Sequence, residues 1–335
     1  MTSFEIFKAT ERPEQTGWPA QSPPPPPWRD FSRLVDPADE QPAEDLQTYR
    51  GRTYCATDAD ARAVNAAIHL RRPLLLTGNP GCGKSALAYA VAWQLKLGEV
   101  LYWSINSQTT VKEGLYRYDA ISRLRDANLA RSGGADVAKY ERIEEYLSLG
   151  PLGTALAPRP AEDPRPRILL IDELDKSDVD LPNDLLDLFE EGCFNIDELV
   201  RIKDDHPDVE LRTAYSKTAA KEEKVPISGG HVQCRQFPIV VITSNEERQF
   251  PPAFLRRCLR HHVQDADVNH LRQIVRQHGL EDYQELIAKF AQQRDAGELK
   301  ANDQLLMALF LLHRTQYRLE DEKELIGLIL RDLKD

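Results

Sequence analysis

Residues 74–85, LLLTGNPGCGKS, join a short apolar run to a glycine-rich loop. The apolar run is typical of a strand buried in a parallel sheet. Residues 78–85 follow the spacing G-x-x-x-x-G-K-S/T, and an alanine-rich stretch from Ala86 to Leu97 comes next. Glycines let such a loop curl until several backbone N–H groups point at one phosphate, and the following helix adds its positive dipole end. The sequence therefore predicts a phosphate-binding loop between a strand and a helix.

The residue types of this loop predict how a nucleotide would be bound. Lys84 is placed to neutralise oxygens of the β- and γ-phosphates, and the hydroxyl of Ser85 is a ligand for Mg²⁺. We interpret Cys82 as a small filler, with a redox-sensitive thiol as the alternative. The residues of this segment predicted to bind the nucleotide are Gly78, Asn79, Pro80, Gly81, Cys82, Gly83, Lys84, Ser85 and Ala86.

A second element lies about 90 residues downstream, where the apolar run of residues 168–171 ends in Asp172 and Glu173. Asp172 at the end of a strand can hold Mg²⁺ and so belongs to the predicted nucleotide and metal sites. Glu173 is placed to polarise the attacking water. The alternative is an acidic strand exit, because Asp175, Asp178 and Asp180 follow.

Two further elements complete the predicted catalytic set. The apolar run of residues 241–243 is followed by Ser244 and Asn245, and an amide there can orient water against the γ-phosphate. In residues 252–257, PAFLRR, Arg256 or Arg257 could reach a phosphate bound on another subunit. The alternative for these arginines is a basic helix end that satisfies its own carbonyl groups.

The alternation of apolar runs and helical patterns indicates the fold class. Further runs at 100–105, 167–172 and 238–243 resemble residues 74–77 and are separated by helical spacing, which predicts an α/β domain with a mostly parallel sheet over residues 51–265. Residues 266–335 have helical spacing only. Residues 1–50 hold nine of the 22 prolines and predict either a solvated spacer or a docking strip, in which Trp18 and Trp28 flank the prolines.

Composition excludes several classes of protein. The net charge of −11 argues against a protein that coats nucleic acid or an anionic membrane through bulk charge. No apolar run has the length of a membrane span, and the first residues lack the pattern of a secretory signal. The five cysteines form no C-x-x-C pair, which favours reduced thiols in a cytoplasmic protein. We interpret the adjacent His261 and His262 as structural rather than metal-binding.

The motifs RPLLLTGNPGCGKSALAYAVA, ILLIDELDKSDVDLPNDLLDLFEEGCFNI and VITSNEERQFPPAFLRRC resemble those of AAA+ ATPases, and within them the MoxR family. The resemblance covers residues 50–335. It implies a five-stranded sheet of order 5-1-4-3-2, a helical lid at 266–335, and a ring, usually a hexamer, that binds ATP and Mg²⁺ between subunits. Two long segments, 107–156 and 194–236, resemble the mainly helical helix-2 insert and the hairpin before sensor 1. The alternative is that both are ordinary surface loops.

The resemblance also implies roles for single residues. Lys84 and Ser85 correspond to Walker A, Asp172 and Glu173 to Walker B, and Asn245 to sensor 1. Arg256 or Arg257 would be the trans-acting arginine finger. The sequence departs from the family where a sensor 2 arginine is expected, because residues 300–305 are KANDQL. The remaining candidates for that role are Arg272 and Arg314.

The function implied by this resemblance is ATP hydrolysis at subunit interfaces to remodel or mature protein clients. MoxR relatives often work with a partner that carries a von Willebrand factor A domain, and some belong to prokaryotic conflict or antiphage systems. One alternative is a nucleotide-driven nucleic-acid motor of the restriction type, which the net charge disfavours. The other is a scaffold that binds nucleotide without hydrolysing it. The sequence does not decide between ATP and GTP.

Overall fold

The computed structural model describes residues 25–30, 45–131, 142–159, 162–215, 223–280, 283–315 and 323–333. These residues divide into two units. Unit 1 takes the described residues up to Cys55, the loop Asn79–Gly83 and the described residues from Gln264 onward. Unit 2 takes Ala56–Gly78 and the described residues of Lys84–Val263.

The strands of the described residues all belong to unit 2, and the helices are shared between the units. The strands are β1 (Leu74–Thr77), β2 (Leu101–Ser104), β3 (Tyr116–Tyr118), β4 (Leu147–Leu149), β5 (Ile168–Asp172), β6 (Cys193–Asn195), β7 (Asp208–Arg212), β8 (Lys224–Ser228), β9 (His231–Gln233), β10 (Ile239–Thr243) and β11 (Leu259–His262). The helices are α1 (Leu46–Thr53), α2 (Asp58–Leu70), α3 (Lys84–Gln94), α4 (Val111–Leu115), α5 (Ala120–Arg131), α6 (Pro151–Leu156), α7 (Leu181–Glu191), α8 (Asp197–Val200), α9 (Pro252–Arg257), α10 (Val268–Gln277), α11 (Gln284–Asp295), α12 (Asn302–Thr315) and α13 (Lys323–Ile329).

A five-stranded parallel sheet forms the centre of unit 2, in the order β11-β1-β10-β5-β2. Counted in chain order within this sheet, the strands therefore lie in the order 5-1-4-3-2. Strand β10 is buried at every residue, as expected for a central strand covered on both faces. The α/β class with a mostly parallel sheet, predicted from the apolar runs, is confirmed, and the sheet has the five strands that the family resemblance implies.

A second sheet, of order β3-β4-β7-β8-β9-β6, comes from the two long segments that the sequence singled out. Strands β7 and β8 form an antiparallel hairpin from Asp208↔Ser228 to Arg212↔Lys224. Strand β4 joins it through the parallel pair Ser148↔Arg212. The first segment was expected to be mainly helical, and α4, α5 and α6 make up most of its described residues, with the three-residue strands β3 and β4 paired among them. Residues 132–141 of that segment lie outside the described residues.

The cap at the start of α2 binds His261, one of the two adjacent histidines 261 and 262. Thr57 caps the helix: its hydroxyl accepts from the Asp60 N–H at 3.1 Å, and the Asp60 carboxylate accepts from the Thr57 N–H at 2.9 Å. The same carboxylate lies 2.7 Å from Nε2 of His261 on β11. Burial alone would raise the pKa of Asp60, but the hydrogen bonds from Thr57 and His261 hold it below its usual range. His261 is thus tied to a helix cap.

Unit 1 has its own apolar core, formed by the C-terminal helices and including Leu271, Phe290 and Leu309. Trp28, at the end of the proline run, packs edge-on against His278 and Phe310 of the same unit. The Tyr49 hydroxyl lies 2.8 Å from Nδ1 of His278, and burial, with the nearby charge of Arg52, lowers the pKa of this histidine to about 4. Trp28 therefore packs against its own chain. Trp18 lies outside the described residues.

No helix in the described ranges combines the length and the apolar character needed to cross a membrane.

Candidate functional site

The carboxyl ends of β1, β5 and β10 lie side by side because the strands are parallel. Helix α3 begins with Lys84 and Ser85, and β5 ends with Asp172. The Ser85 hydroxyl donates a hydrogen bond to Oδ1 of Asp172 at 2.6 Å. Two residues 87 positions apart are thus brought into contact at the edge where ligands bind in open α/β sheets.

Thr243 and Tyr102 fix the Asp172 carboxylate from two further strands. The Thr243 hydroxyl donates to Oδ1 at 2.7 Å, and the Tyr102 hydroxyl donates to Oδ2 at 3.2 Å. Thr243 Oγ1 also accepts from the Glu173 N–H at 2.9 Å, so one buried hydroxyl orients both carboxylate residues. The sequence motifs assigned no role to Thr243 or Tyr102. Their positions at or near the ends of predicted strands were the feature that could have indicated a place in the site.

Glu173 adopts a backbone conformation that side chains rarely take, with φ of +61°. For a residue other than glycine this costs about 1–2 kcal/mol and is held only by surrounding contacts. Its carboxylate pairs with Lys176 Nζ at 2.8 Å, and Nδ2 of Asn245 lies 3.5 Å from its other oxygen. The positive φ turns the chain directly after the strand, where a water-activating carboxylate is expected.

Asn245 links the loop lysine to this carboxylate. Lys84 Nζ donates to Oδ1 of Asn245 and to the Gly78 carbonyl oxygen, both at 2.8 Å. Since Nδ2 of the same amide faces Glu173, one side chain lies between the cation and the carboxylate. The structure therefore brings together Lys84, Asn245 and Glu173, which the sequence placed in one site from three separate motifs.

Asp175 is a buried support of this arrangement. Its Oδ2 accepts from the backbone N–H groups of Asn245 at 2.9 Å and Glu247 at 3.0 Å. Asp175 lies in the turn after β5, and its hydrogen bonds hold the backbone of the turn after β10 in place. Asp175 is 3 % exposed, whereas the acidic residues Asp178 and Asp180 that follow it are exposed.

Arg256 and Arg257 differ in their surroundings at the end of α9. Nε of Arg257 pairs with Glu190 at 2.9 Å, and the same carboxylate oxygen binds Arg72 at 2.9 Å. Arg257 also donates to the Ala253 carbonyl oxygen at 3.5 Å, which fits the helix-end alternative. The Arg256 side chain is exposed, and its guanidinium has no hydrogen bond or ion pair with any residue in the described ranges. Arg256 is thus the arginine available to another molecule.

The central part of the phosphate-binding loop contacts the C-terminal helices within unit 1. The backbone N–H of Asn302 donates to the Gly81 carbonyl oxygen at 3.0 Å. Gly81 has φ of +73°, and a Cβ atom built there would lie 2.1 Å from Cβ of Ala301. Glycine at this position is therefore required both by the backbone conformation and by the close approach of residue 301.

A polar network extends this contact. Asn79 donates to Asp265 at 2.7 Å, and Asp265 pairs with Arg294 at 2.5 Å. Arg294 in turn donates to Oδ1 of Asn302 at 2.9 Å, and only 6 % of its side chain is exposed. The sequence pattern did not single out Arg294, because the phosphate-binding loop that its partners contact lies far from it in the chain. The Arg314 side chain lies outside the description.

The residues at the sheet edge fit a magnesium nucleotide. Ser85 and Asp172 supply a hydroxyl and a carboxylate oxygen, which are the hard ligands that Mg²⁺ prefers. In the described ranges no group of three or more histidine, cysteine or acidic residues could hold a metal by itself. A metal ion here would therefore complete its shell with phosphate oxygens and water, as Mg²⁺ usually does. All five cysteines are outside disulfides, and Cys82 is buried, as a filler would be.

The parallel sheet, the glycine loop and the paired acidic residues define a P-loop nucleotide-binding domain. The chain belongs to the AAA domain family, dynein-related subfamily, whose match spans residues 73–258, more than half of its 335 residues. AAA domains in general bind and hydrolyse ATP, and AAA+ proteins commonly form oligomeric rings. No curated protein matches the chain.

The Gly81→Ala substitution should destabilise the protein more than Gly98→Ala. Both glycines have positive φ, +73° and +91°, but a Cβ atom at position 98 would meet nothing within 4 Å. Both variants carry a backbone cost of about 1 kcal/mol, and Gly81→Ala adds an overpacking cost of about 1–3 kcal/mol. Urea unfolding of the two variants measures the difference. Equal losses would contradict the close contact with Ala301.

Proposed function

We propose that this protein is an ATPase of the MoxR type, which hydrolyses ATP at interfaces between identical subunits and uses the energy to remodel or mature protein clients. The proposal depends on two groups of contacts. Ser85 is hydrogen-bonded to Asp172, and the Asn245 amide lies between Lys84 and Glu173. The polar groups that one subunit would supply to bind and cleave a triphosphate lie along the carboxyl edge of one sheet. The family match to an AAA domain supports the same reaction.

Each residue has a defined task in the proposed reaction. Lys84 neutralises β- and γ-phosphate oxygens, while Ser85 and Asp172 hold Mg²⁺. The metal ion, when bound, draws off charge that develops on the phosphates. Glu173 accepts a proton from the attacking water, and Asn245 orients that water against the γ-phosphate.

The bridge from Lys84 to Asn245 suggests how nucleotide binding prepares the site. A γ-phosphate near the loop competes with the Asn245 oxygen for Lys84 Nζ, because charge-assisted hydrogen bonds to phosphate are strong. Loss of that bond leaves the amide able to bind water beside Glu173. In this proposal the triphosphate itself completes the catalytic geometry.

We propose residues 51–265 as the ATP-binding domain, 266–335 as its lid and 1–50 as the proline-rich tail. The strand order 5-1-4-3-2 supports this division, since it is the order that the resemblance implies. In place of a sensor 2 arginine that touches phosphate, we assign Arg294 the task of holding Asn302 against the loop.

A hexameric ring is the proposed assembly, with Arg256 as the finger directed at the neighbouring subunit's nucleotide. Its exposure supports this choice over Arg257, which is paired with Glu190. The MoxR resemblance alone suggests two further features. One is a partner with a von Willebrand factor A domain, and the other is a role in a conflict or antiphage system. The acidic net charge disfavours the nucleic-acid motor, and the Asp172–Glu173 pair disfavours a scaffold without hydrolysis.

The Glu173→Gln substitution should abolish ATP turnover and leave ATP binding intact, because it removes the base and keeps the shape. We expect a loss of at least about 10²-fold in phosphate release. The matched control is Glu191→Gln, the same change at an exposed residue of α7, which should retain the wild-type rate. A Glu173→Gln protein that still turns over would remove the assigned base. Comparing ATP with GTP turnover of the wild-type protein in the same assay measures which nucleotide it prefers.

The Arg256→Ala substitution should lower turnover by about 10³-fold without weakening nucleotide binding, as expected for an arginine finger. Arg257→Ala should instead lower the free energy of unfolding, because it removes the ion pair between Arg257 and Glu190. Mixing Arg256→Ala with Glu173→Gln subunits should restore part of the activity, since one interface then has both groups. A mixture as inactive as its components would contradict a site shared between subunits.

A further inference from the structure

A cavity of about 230 Å³ in unit 2 lies at the amino ends of strands of the parallel sheet. Arg167 directly precedes β5, and Gln236 lies shortly before β10. The two strands are parallel, so their amino ends share the edge opposite Asp172. The strand from Ile168 to Asp172 spans about 16 Å at about 3.3 Å per residue. The cavity is therefore separate from the predicted nucleotide site.

The charged groups that line the cavity are mostly positive. They are Arg159, Arg165, Arg167, Arg235 and Asp163. Four guanidinium groups and one carboxylate thus line the cavity, in a chain whose net charge is −11, and a second carboxylate, that of Glu223, pairs with one of these arginines. A local excess of positive charge in an acidic protein needs a counter-charge, from the protein or from a ligand.

Arg167 is the most constrained of these residues. Its side chain is 2 % exposed, and its two terminal nitrogens donate to the Ala157 carbonyl oxygen and, at 3.3 Å, to Glu223. Nε has no hydrogen-bond partner among the described residues. Burial, with the nearby charge of Arg159, lowers the pKa of Arg167. Arg167 is thus a buried cation in the wall of the cavity, held by one carbonyl oxygen and one carboxylate.

Asp163 and two backbone carbonyl groups accept hydrogen bonds from Arg159 and Arg165. Asp163 accepts from Arg165 at 2.7 and 3.0 Å and also binds Arg159. The hydrogen bond from Arg165 is the largest cause that holds its pKa below the usual range, so the carboxylate stays ionised. Arg235 is exposed, and it forms no ion pair with any residue that the structure describes. One negative charge is thus shared between two arginines, and Arg235 is left to bind something else.

We propose that this cavity is a second anion site, which binds a phosphate-type oxyanion. A tetrahedral dianion offers several acceptors at once and suits guanidinium groups that approach from different sides. The volume accommodates inorganic phosphate or the phosphoryl group of a small metabolite. An anion bound here would brace the amino end of the strand that ends in Asp172 and Glu173, without touching the phosphate-binding loop.

Calorimetric titration of the full chain with inorganic phosphate in chloride buffer tests the proposal. We expect binding that Lys84→Ala retains and that Arg235→Gln weakens about tenfold, as for one lost charged hydrogen bond. Arg235 is chosen because it is exposed, so its replacement should not impair folding. Arg201→Gln, which removes an exposed arginine outside the cavity, is the matched control and should bind as the wild type does.

Three outcomes would overturn the proposal: no binding, binding that Lys84→Ala abolishes, or binding that Arg235→Gln and Arg159→Gln both leave unchanged.

Crystals soaked in tungstate give an independent readout, because an anomalous peak beside Arg167 supports the site and a peak only at the loop refutes it. Competition by ribose 5-phosphate would show that the site accepts a phosphoryl group on a metabolite. Absence of competition would identify the free anion. None of these readouts depends on ATP hydrolysis.

Discussion

The hydrogen bond between Ser85 and Asp172 is the contact on which the rest of the candidate site depends. It exists because parallel strands place their carboxyl ends at one edge, where the start of α3 meets the end of β5. Thr243 then fixes Asp172 and the Glu173 backbone together, and Asn245 connects Lys84 to Glu173. Strand direction therefore assembles three distant motifs into one set of polar groups.

The sequence predicted those parts of this arrangement that are local. The loop at 78–85 and the strand that ends in Asp172 are set by neighbouring residues, and apolar runs of four or five residues were enough to indicate the parallel sheet. Contacts between distant segments were not predictable in this way. The pairing of Ser148 with Arg212, which joins two segments into one sheet, follows from tertiary packing and has no signature in either strand.

The same limit applies to the supporting residues of the site. Asp175 looked like one of several acidic residues after a strand, and only its burial beneath Asn245 and Glu247 shows its task. Arg294 lies in an ordinary helical pattern, and its contacts with Asp265 and Asn302 give it importance. Arg256 and Arg257 are equivalent in sequence, yet one is paired with Glu190 and the other is exposed.

In the proposed reaction, a triphosphate is cleaved in a crevice that a second subunit completes. The rate of phosphate release per subunit, measured over a wide range of protein concentration, tests it most directly. If the account is right, the rate per subunit is low in dilute protein and rises to a plateau as subunits associate, in step with the assembled mass measured in the same samples. A rate per subunit that is independent of concentration while the protein stays monomeric, or no hydrolysis at any concentration, would contradict it.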